Sequence, residues 1–319
     1  MKFQGVVPPM VTLLDENRQI DYPANEKLIE YLIENGVDGL LILGTCGEFF
    51  AFSEQERQDF VSFVVKTVRH RVPVLVGTGH TELAQAVRFT QYTQQAGADA
   101  VLVISPYYVT LDENALYHYY CAVAHAADIP VLFYNFPERT GVNIQVPLVK
   151  RVMEACPNVC GIKDTMSVFA HTRSFISDIK EKNPDFCVFS GCDEYFFMTL
   201  LTGGNGVIGA LSNFAPMFYS TLYASFQKCD FSLANECQRR IGILMELSDV
   251  SVQFIAVVKY AVSLVLDINP MPAAPFDLPT PDEQEKIKEI LIRAGIPLKG
   301  ECPASGVVKM KPGPAKETL

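Results

Sequence analysis

Short apolar runs punctuate the chain at residues 5–11, 39–43, 72–76, 100–104, 130–134, 159–163, 186–189 and 206–208. Each is too short for a helix and is bounded by turn-forming residues, which is how strands read. Between them lie segments whose apolar positions recur at helical spacing. Ser53-Glu54-Gln55-Glu56 is a capping box, in which serine and glutamate side chains satisfy each other's free backbone donors, and it predicts a helix running towards Arg69. Asn35-Gly36-Val37-Asp38-Gly39 and Ala96-Gly97-Ala98-Asp99-Ala100 each close a helix with glycine and then enter a strand. Past Asn213 the pattern is purely helical, over 216–227, 233–247, 251–264 and 281–294. Eight strands alternating with helices predict an α/β fold, a closed parallel (β/α)8 barrel of the TIM type with additional C-terminal helices. The expected boundaries are 1–225 for the barrel and 226–298 for the helical extension, with 299–319 as a disordered tail rich in Pro, Gly, Lys and Ser. An open dinucleotide-binding sheet is disfavoured, because no Gly-x-Gly-x-x-Gly follows the first run.

Composition narrows the function. With 49% hydrophobic and 19% charged residues in 319, the chain has enough apolar material for one large core. Its formal charge of −10 and lack of a long basic run argue against a nucleic-acid partner. No run reaches membrane-spanning length, and the first residues lack the apolar stretch of a signal peptide. Nine cysteines, an odd number without a Cys-x-x-Cys pair, suit reduced thiols and a cytoplasmic location. The five histidines include no His-x-x-x-His pair, so no metal site is expected.

The chemistry centres on Lys163, which ends the run Asn158-Val159-Cys160-Gly161-Ile162-Lys163. Period-two alternation predicts that Val159, Gly161 and Lys163 share one strand face. A lysine titrates near ~10.4 in water, and desolvation favours the neutral amine that can attack a ketone. Tyr134 ends the preceding strand on the same face as Leu132, so a phenol and an amine are expected side by side at the barrel mouth, where active sites of this fold lie. Such a pair can shuttle the protons of imine chemistry. Gly44-Thr45-Cys46-Gly47-Glu48 follows the second strand, with glycines that let backbone amides approach a carboxylate. Arg139, in the loop after the fifth strand, offers fork geometry to a carboxylate. Gly203-Gly204-Asn205-Gly206 precedes its strand and so belongs to the opposite end of the barrel.

Together Gly44-Thr45-x-Gly47-Glu48, Tyr134-Asn135-x-Pro137 and Gly161-Ile162-Lys163-Asp164 resemble the dihydrodipicolinate synthase / N-acetylneuraminate lyase family, as does the chain from about Val6 to Ala294 in motif order. The resemblance implies a Schiff-base lyase joining or splitting a carbon–carbon bond between pyruvate and an aldehyde, with neither metal nor organic cofactor, commonly as a homotetramer. Lys163 would form the imine and Tyr134 relay protons, with Thr45 linking it to a Tyr108 supplied by a neighbouring subunit. The loop amides around Thr45, Cys46 and Gly47 would hold the pyruvate carboxylate, with Ile208 contacting pyruvate through its backbone. Cys46 departs from the hydroxyl residue that members often carry there.

Arg139 before Thr140-Gly141 looks like the arginine that synthases use for aspartate semialdehyde, and it leans the expectation slightly towards that partner. Gly161-Ile162-Lys163-Asp164-Thr165 and Ser212-Asn213-Phe214-Ala215-Pro216 look closer to 2-keto-3-deoxy sugar-acid aldolases, the alternative. Phe49, Phe50, Glu54 and Arg57 differ from the lysine feedback site of some synthases, so feedback by lysine is not expected. A Schiff-base dehydratase and a non-catalytic barrel are the more distant readings.

Overall fold

The computed structural model describes residues 3–299. Eight parallel strands follow one another: β1 (Gly5–Val6), β2 (Leu40–Ile42), β3 (Val74–Gly77), β4 (Ala100–Ile104), β5 (Val131–Asn135), β6 (Val159–Asp164), β7 (Cys187–Ser190) and β8 (Gly206–Val207). They pair in the order β1-β8-β7-β6-β5-β4-β3-β2. β1 is shorter than its apolar run because Pro8 and Pro9 carry no N–H to continue a ladder. The seam to β2 is closed by a bridge between Pro9 and Leu41 instead, where the Leu41 N–H donates to Pro8 O at 2.9 Å and the Met10 N–H to Leu41 O at 2.8 Å. The architecture is the expected barrel.

Inside, Val7, Leu41, Leu75, Leu102, Leu132, Phe189 and Ile208 form one buried cluster. Alternate residues on the same strands, including Val101, Val103, Phe133, Ile162 and Val188, pack outward under the helices. Each such buried side chain contributes roughly 1.5–3 kcal/mol. One expectation about β6 fails. Val131 pairs with Val159 but the next residue, Leu132, pairs with Gly161, so Cys160 is an extra residue in the ladder. Val159 therefore belongs to the outer cluster, and only Gly161 and Lys163 lie on the face of Leu132 and Tyr134. A one-residue register shift reverses which face a side chain occupies, and simple alternation cannot foresee it.

The capping box forms as expected, with Ser53 accepting from the Glu56 N–H at the start of helix Glu54–Val68. Helices Pro216–Gln227 and Pro281–Ala294 match their patterns, and the first of these follows β8 as the barrel's eighth. The third expected segment starts earlier, at Phe231, because Asp230 caps it by accepting from the Leu233 N–H; its end tightens into a 3-10 turn, Met245–Asp249. The last but one runs Phe254–Leu266. One apolar cluster includes barrel residues such as Val6 and Ile42 and C-terminal residues such as Val257, Val262 and Leu291, so the two parts share a core. Asn205, in the glycine-rich segment before β8, donates its side-chain amide to Phe3 O and accepts from the Val188 N–H, a structural role at the closed end. Of the expected tail, Lys299 is described and its N–H donates to Leu264 O; residues 300–319 lie outside the described residues.

Candidate active site

β5 and β6 place Tyr134 directly opposite Lys163. Both side chains are buried, each 4% exposed, and the lysine Nζ stands 4.2 Å from the centre of the tyrosine ring. A glycine two residues before the lysine is required, since a Cβ on Gly161 would fall 2.6 Å from Cys187 O on β7. The Tyr134 hydroxyl lies 3.2 Å from Thr45 Oγ1, and either oxygen can donate. The phenol and threonine hydroxyls are thus linked beside the amine, a pair that can hand a proton between a bound carbonyl and the loop after β2.

That loop is a tight turn in which the Glu48 N–H donates to Thr45 O at 3.1 Å. Gly47 is packed so closely that a Cβ would meet Leu43 N at 2.9 Å, and its carbonyl accepts from Thr12 Oγ1 at 2.8 Å. Gly47 thereby shapes the turn from behind. Cys46 is buried, and burial pushes its thiol up to about 11, with the Lys163 charge acting against that rise. At neutral pH it is a neutral thiol that does not repel an incoming carboxylate.

A cavity of about 600 Å³ opens over these groups. Thr45, Cys46, Tyr134, Arg139, Lys163 and Ile208 all border it. A molecule of six heavy atoms, at no more than ~30 Å³ each, would fill under a third of that space and leave room for a second beside it. Arg139 sits exposed on the rim, its guanidinium carbon 5.9 Å from the centre of the Phe136 ring. Tyr108 is not brought into the cavity by its own chain: it is 97% exposed, with φ at +79°.

Two residues without an assigned role emerge in the cavity wall. Thr165 lies two positions beyond Lys163, and its buried Oγ1 has no hydrogen-bond partner among the described residues. Period two from Lys163 was the signal that could have found it. Asp193 accepts from the Ala210 and Leu211 N–H groups and from the Tyr219 hydroxyl. Burial nevertheless raises its carboxyl to about 6, the hydrogen bonds and Lys163 opposing the rise. Just outside the wall, Asp164 faces away from Lys163 and accepts from Asn135 Nδ2 at 2.8 Å and Thr172 Oγ1 at 2.7 Å, anchoring the end of β6. Among the described residues no group of His, Cys, Asp and Glu side chains is arranged to hold a metal ion.

The sequence profile described as the Dihydrodipicolinate synthetase family matches residues 2–294. The chain belongs to that family. With it come the barrel and the enzyme class, a carbon–carbon lyase. Among curated relatives, the putative 2-dehydro-3-deoxy-D-gluconate aldolase YagE of Escherichia coli K12 is 38% identical over 87% of this chain and 93% of its own length. A 4-hydroxy-tetrahydrodipicolinate synthase of Syntrophus aciditrophicus is 35% identical over 92% of this chain and 99% of its own. The crystal structure of YagE in complex with pyruvate superposes with a TM-score of 0.91 at 35% identity, covering 92% of this chain and 99% of that one. Family relatives of both substrate types therefore stand at similar distance.

Proposed function

We propose that the protein is a class I lyase that makes or breaks a carbon–carbon bond next to a pyruvate held on Lys163. The observation that carries this is the buried lysine nitrogen lying against the Tyr134 ring, with the Tyr134 hydroxyl in contact with Thr45. Lys163 Nζ adds to C2 of pyruvate, and water leaves to give an imine. Protonation of the imine lets C3 lose a proton and become an enamine. The enamine carbon attacks the aldehyde, whose oxygen takes up a proton, and water then releases the 2-keto-4-hydroxy acid. Cleavage is the reverse sequence. Tyr134 carries protons in both directions, and the Gly44–Gly47 amides orient the carboxylate.

The aldehyde we favour is a short hydroxyaldehyde, so that the full substrate is a 2-keto-3-deoxy sugar acid. The unpartnered hydroxyl of Thr165, with Ser167, Glu194, Ser248 and Gln253 on the same cavity wall, supplies groups for substrate hydroxyls. Likeness to YagE supports the same choice. Aspartate semialdehyde, favoured slightly by sequence, remains the second reading, because Arg139 stands at the rim free to pair with a carboxylate.

As part of this reading the enzyme works in the cytoplasm as a homotetramer, in which Tyr108 of an adjacent chain completes the Thr45–Tyr134 relay. The exposed Tyr108 and Val109 side chains support a contact there.

Borohydride trapping with pyruvate, followed by peptide mass spectrometry, tests the chemistry. An adduct on Lys163 is expected, and its absence or its presence on another lysine rejects the assignment. Assays with 2-keto-3-deoxygluconate and with aspartate semialdehyde plus pyruvate separate the two partners. Arg139→Ala should cripple only the second. Light scattering reads the assembly.

A further inference from the structure

Helix Phe254–Leu266 reads Phe-Ile-Ala-Val-Val-Lys-Tyr-Ala-Val-Ser-Leu-Val-Leu, with Lys259 as its only charged residue. The Lys259 side chain is fully buried, and its Nζ lies 2.6 Å from Oε2 of Glu48, which is fully buried too. The other Glu48 oxygen accepts from the Ala273 N–H at 2.9 Å. Burial lowers the pKa of Lys259, and the Glu48 charge opposes that fall. Glu48 is also the last residue of the carboxylate-binding turn, held at φ +52°, where its N–H closes on Thr45 O and its carbonyl accepts from the Ala51 N–H. The first turn of the same helix borders the active cavity through Phe254, Ile255 and Ala256.

Desolvating two charges is costly, and well-packed apolar side chains commonly stabilise a core as much as a buried ion pair does. What two apolar groups lack is direction. A carboxylate gripped on both oxygens, one by a helix and one by a backbone amide, holds its own backbone in one conformation. For a residue in the left-handed region, which a non-glycine side chain disfavours, that constraint matters.

We propose that Glu48 and Lys259 are positioning residues, through which the C-terminal helix sets the Gly44–Glu48 turn for binding the pyruvate carboxylate. Neither touches the substrate. The inference rests on the reading of that turn as the carboxylate holder.

The test compares wild type, Lys259→Arg, Lys259→Met and the double variant Glu48→Leu/Lys259→Met, reading melting temperature, borohydride trapping on Lys163, and KM and kcat for pyruvate. Lys259→Met, which strands a buried carboxylate, should lose both stability and affinity. The double variant should melt close to wild type and still be trapped at saturating pyruvate. Its pyruvate KM should nevertheless rise about tenfold to a hundredfold, with a smaller change in kcat. Lys259→Arg, which keeps the pairing, should recover much of the affinity. A double variant with wild-type melting and wild-type KM overturns the proposal. So does one that melts far below wild type, since the pair is then a fold-stabilising element. Failure of wild type itself to be trapped refutes the catalytic reading instead.

Discussion

Lys163 and Tyr134 are register partners across the β5–β6 ladder, with the lysine nitrogen 4.2 Å from the tyrosine ring centre. The phenol hydroxyl of the same ring meets Thr45 Oγ1 at 3.2 Å. Tyr134→Phe keeps the ring and removes the relay. Turnover should fall about 10²–10³-fold, in line with losing a positioned acid–base group, while pyruvate is still trapped on Lys163 at a reduced rate. Steady-state kinetics with trapping time courses check this, and unchanged turnover would remove Tyr134 from the mechanism.

Thr165 offers an opposite signature. Its buried hydroxyl has no partner among the described residues, a condition that costs about 1–3 kcal/mol. Thr165→Val should leave the protein equally stable or more so, yet lower kcat/KM for a 2-keto-3-deoxy sugar acid by about tenfold as a substrate hydroxyl loses its contact. Denaturant melts beside assays on the sugar acid measure both. A drop in stability would mean that the hydroxyl is already satisfied in the free enzyme.

At Cys46 a gain is expected. The thiol is a weak donor, held neutral by burial, with its pKa pushed up to about 11. Cys46→Ser supplies a stronger donor at nearly the same size. The pyruvate KM should fall a few-fold, equivalent to about 0.5–1 kcal/mol. An unchanged or higher KM would show that backbone amides alone hold the carboxylate.

Asp193 predicts a pH effect. Its carboxyl is raised by burial to about 6, whereas an unfolded aspartate titrates near ~3.9. The neutral acid is thus favoured in the folded state. The stabilisation is fully present below about pH 4 and is lost as pH rises through about 6, a swing of at most ~3 kcal/mol. Melting temperatures of wild type should carry this descending component between those pH values, and Asp193→Asn should lack it. Equal slopes for the two proteins would contradict the assignment.

The barrel was legible because its strands are short apolar runs with helices between, and Lys163, Tyr134 and Thr45 because each ends a strand or opens a mouth loop. Arg139 and Ile208 also reach the cavity as expected. Less legible were groups whose role depends on distant partners. Lys259 lies 211 residues from Glu48, and only its isolation as a charge in an apolar helix hinted at a buried mate. Asp193 meets Tyr219 through a fold-level contact that no local pattern encodes. Tyr108, expected at the site, is left outside the cavity by its own chain, 97% exposed.

The extra residue in the sixth strand carries a consequence for how this sequence can vary. Cys160 is counted in the chain but not in the ladder, so the paired residues Val159, Gly161, Ile162 and Lys163 alternate regularly around it. Swapping Cys160 for another small side chain should matter little. Deleting it would leave Gly161 opposite Leu132 and Lys163 opposite Tyr134, whereas losing the codon of a paired residue such as Ile162 would turn the lysine towards the helix layer.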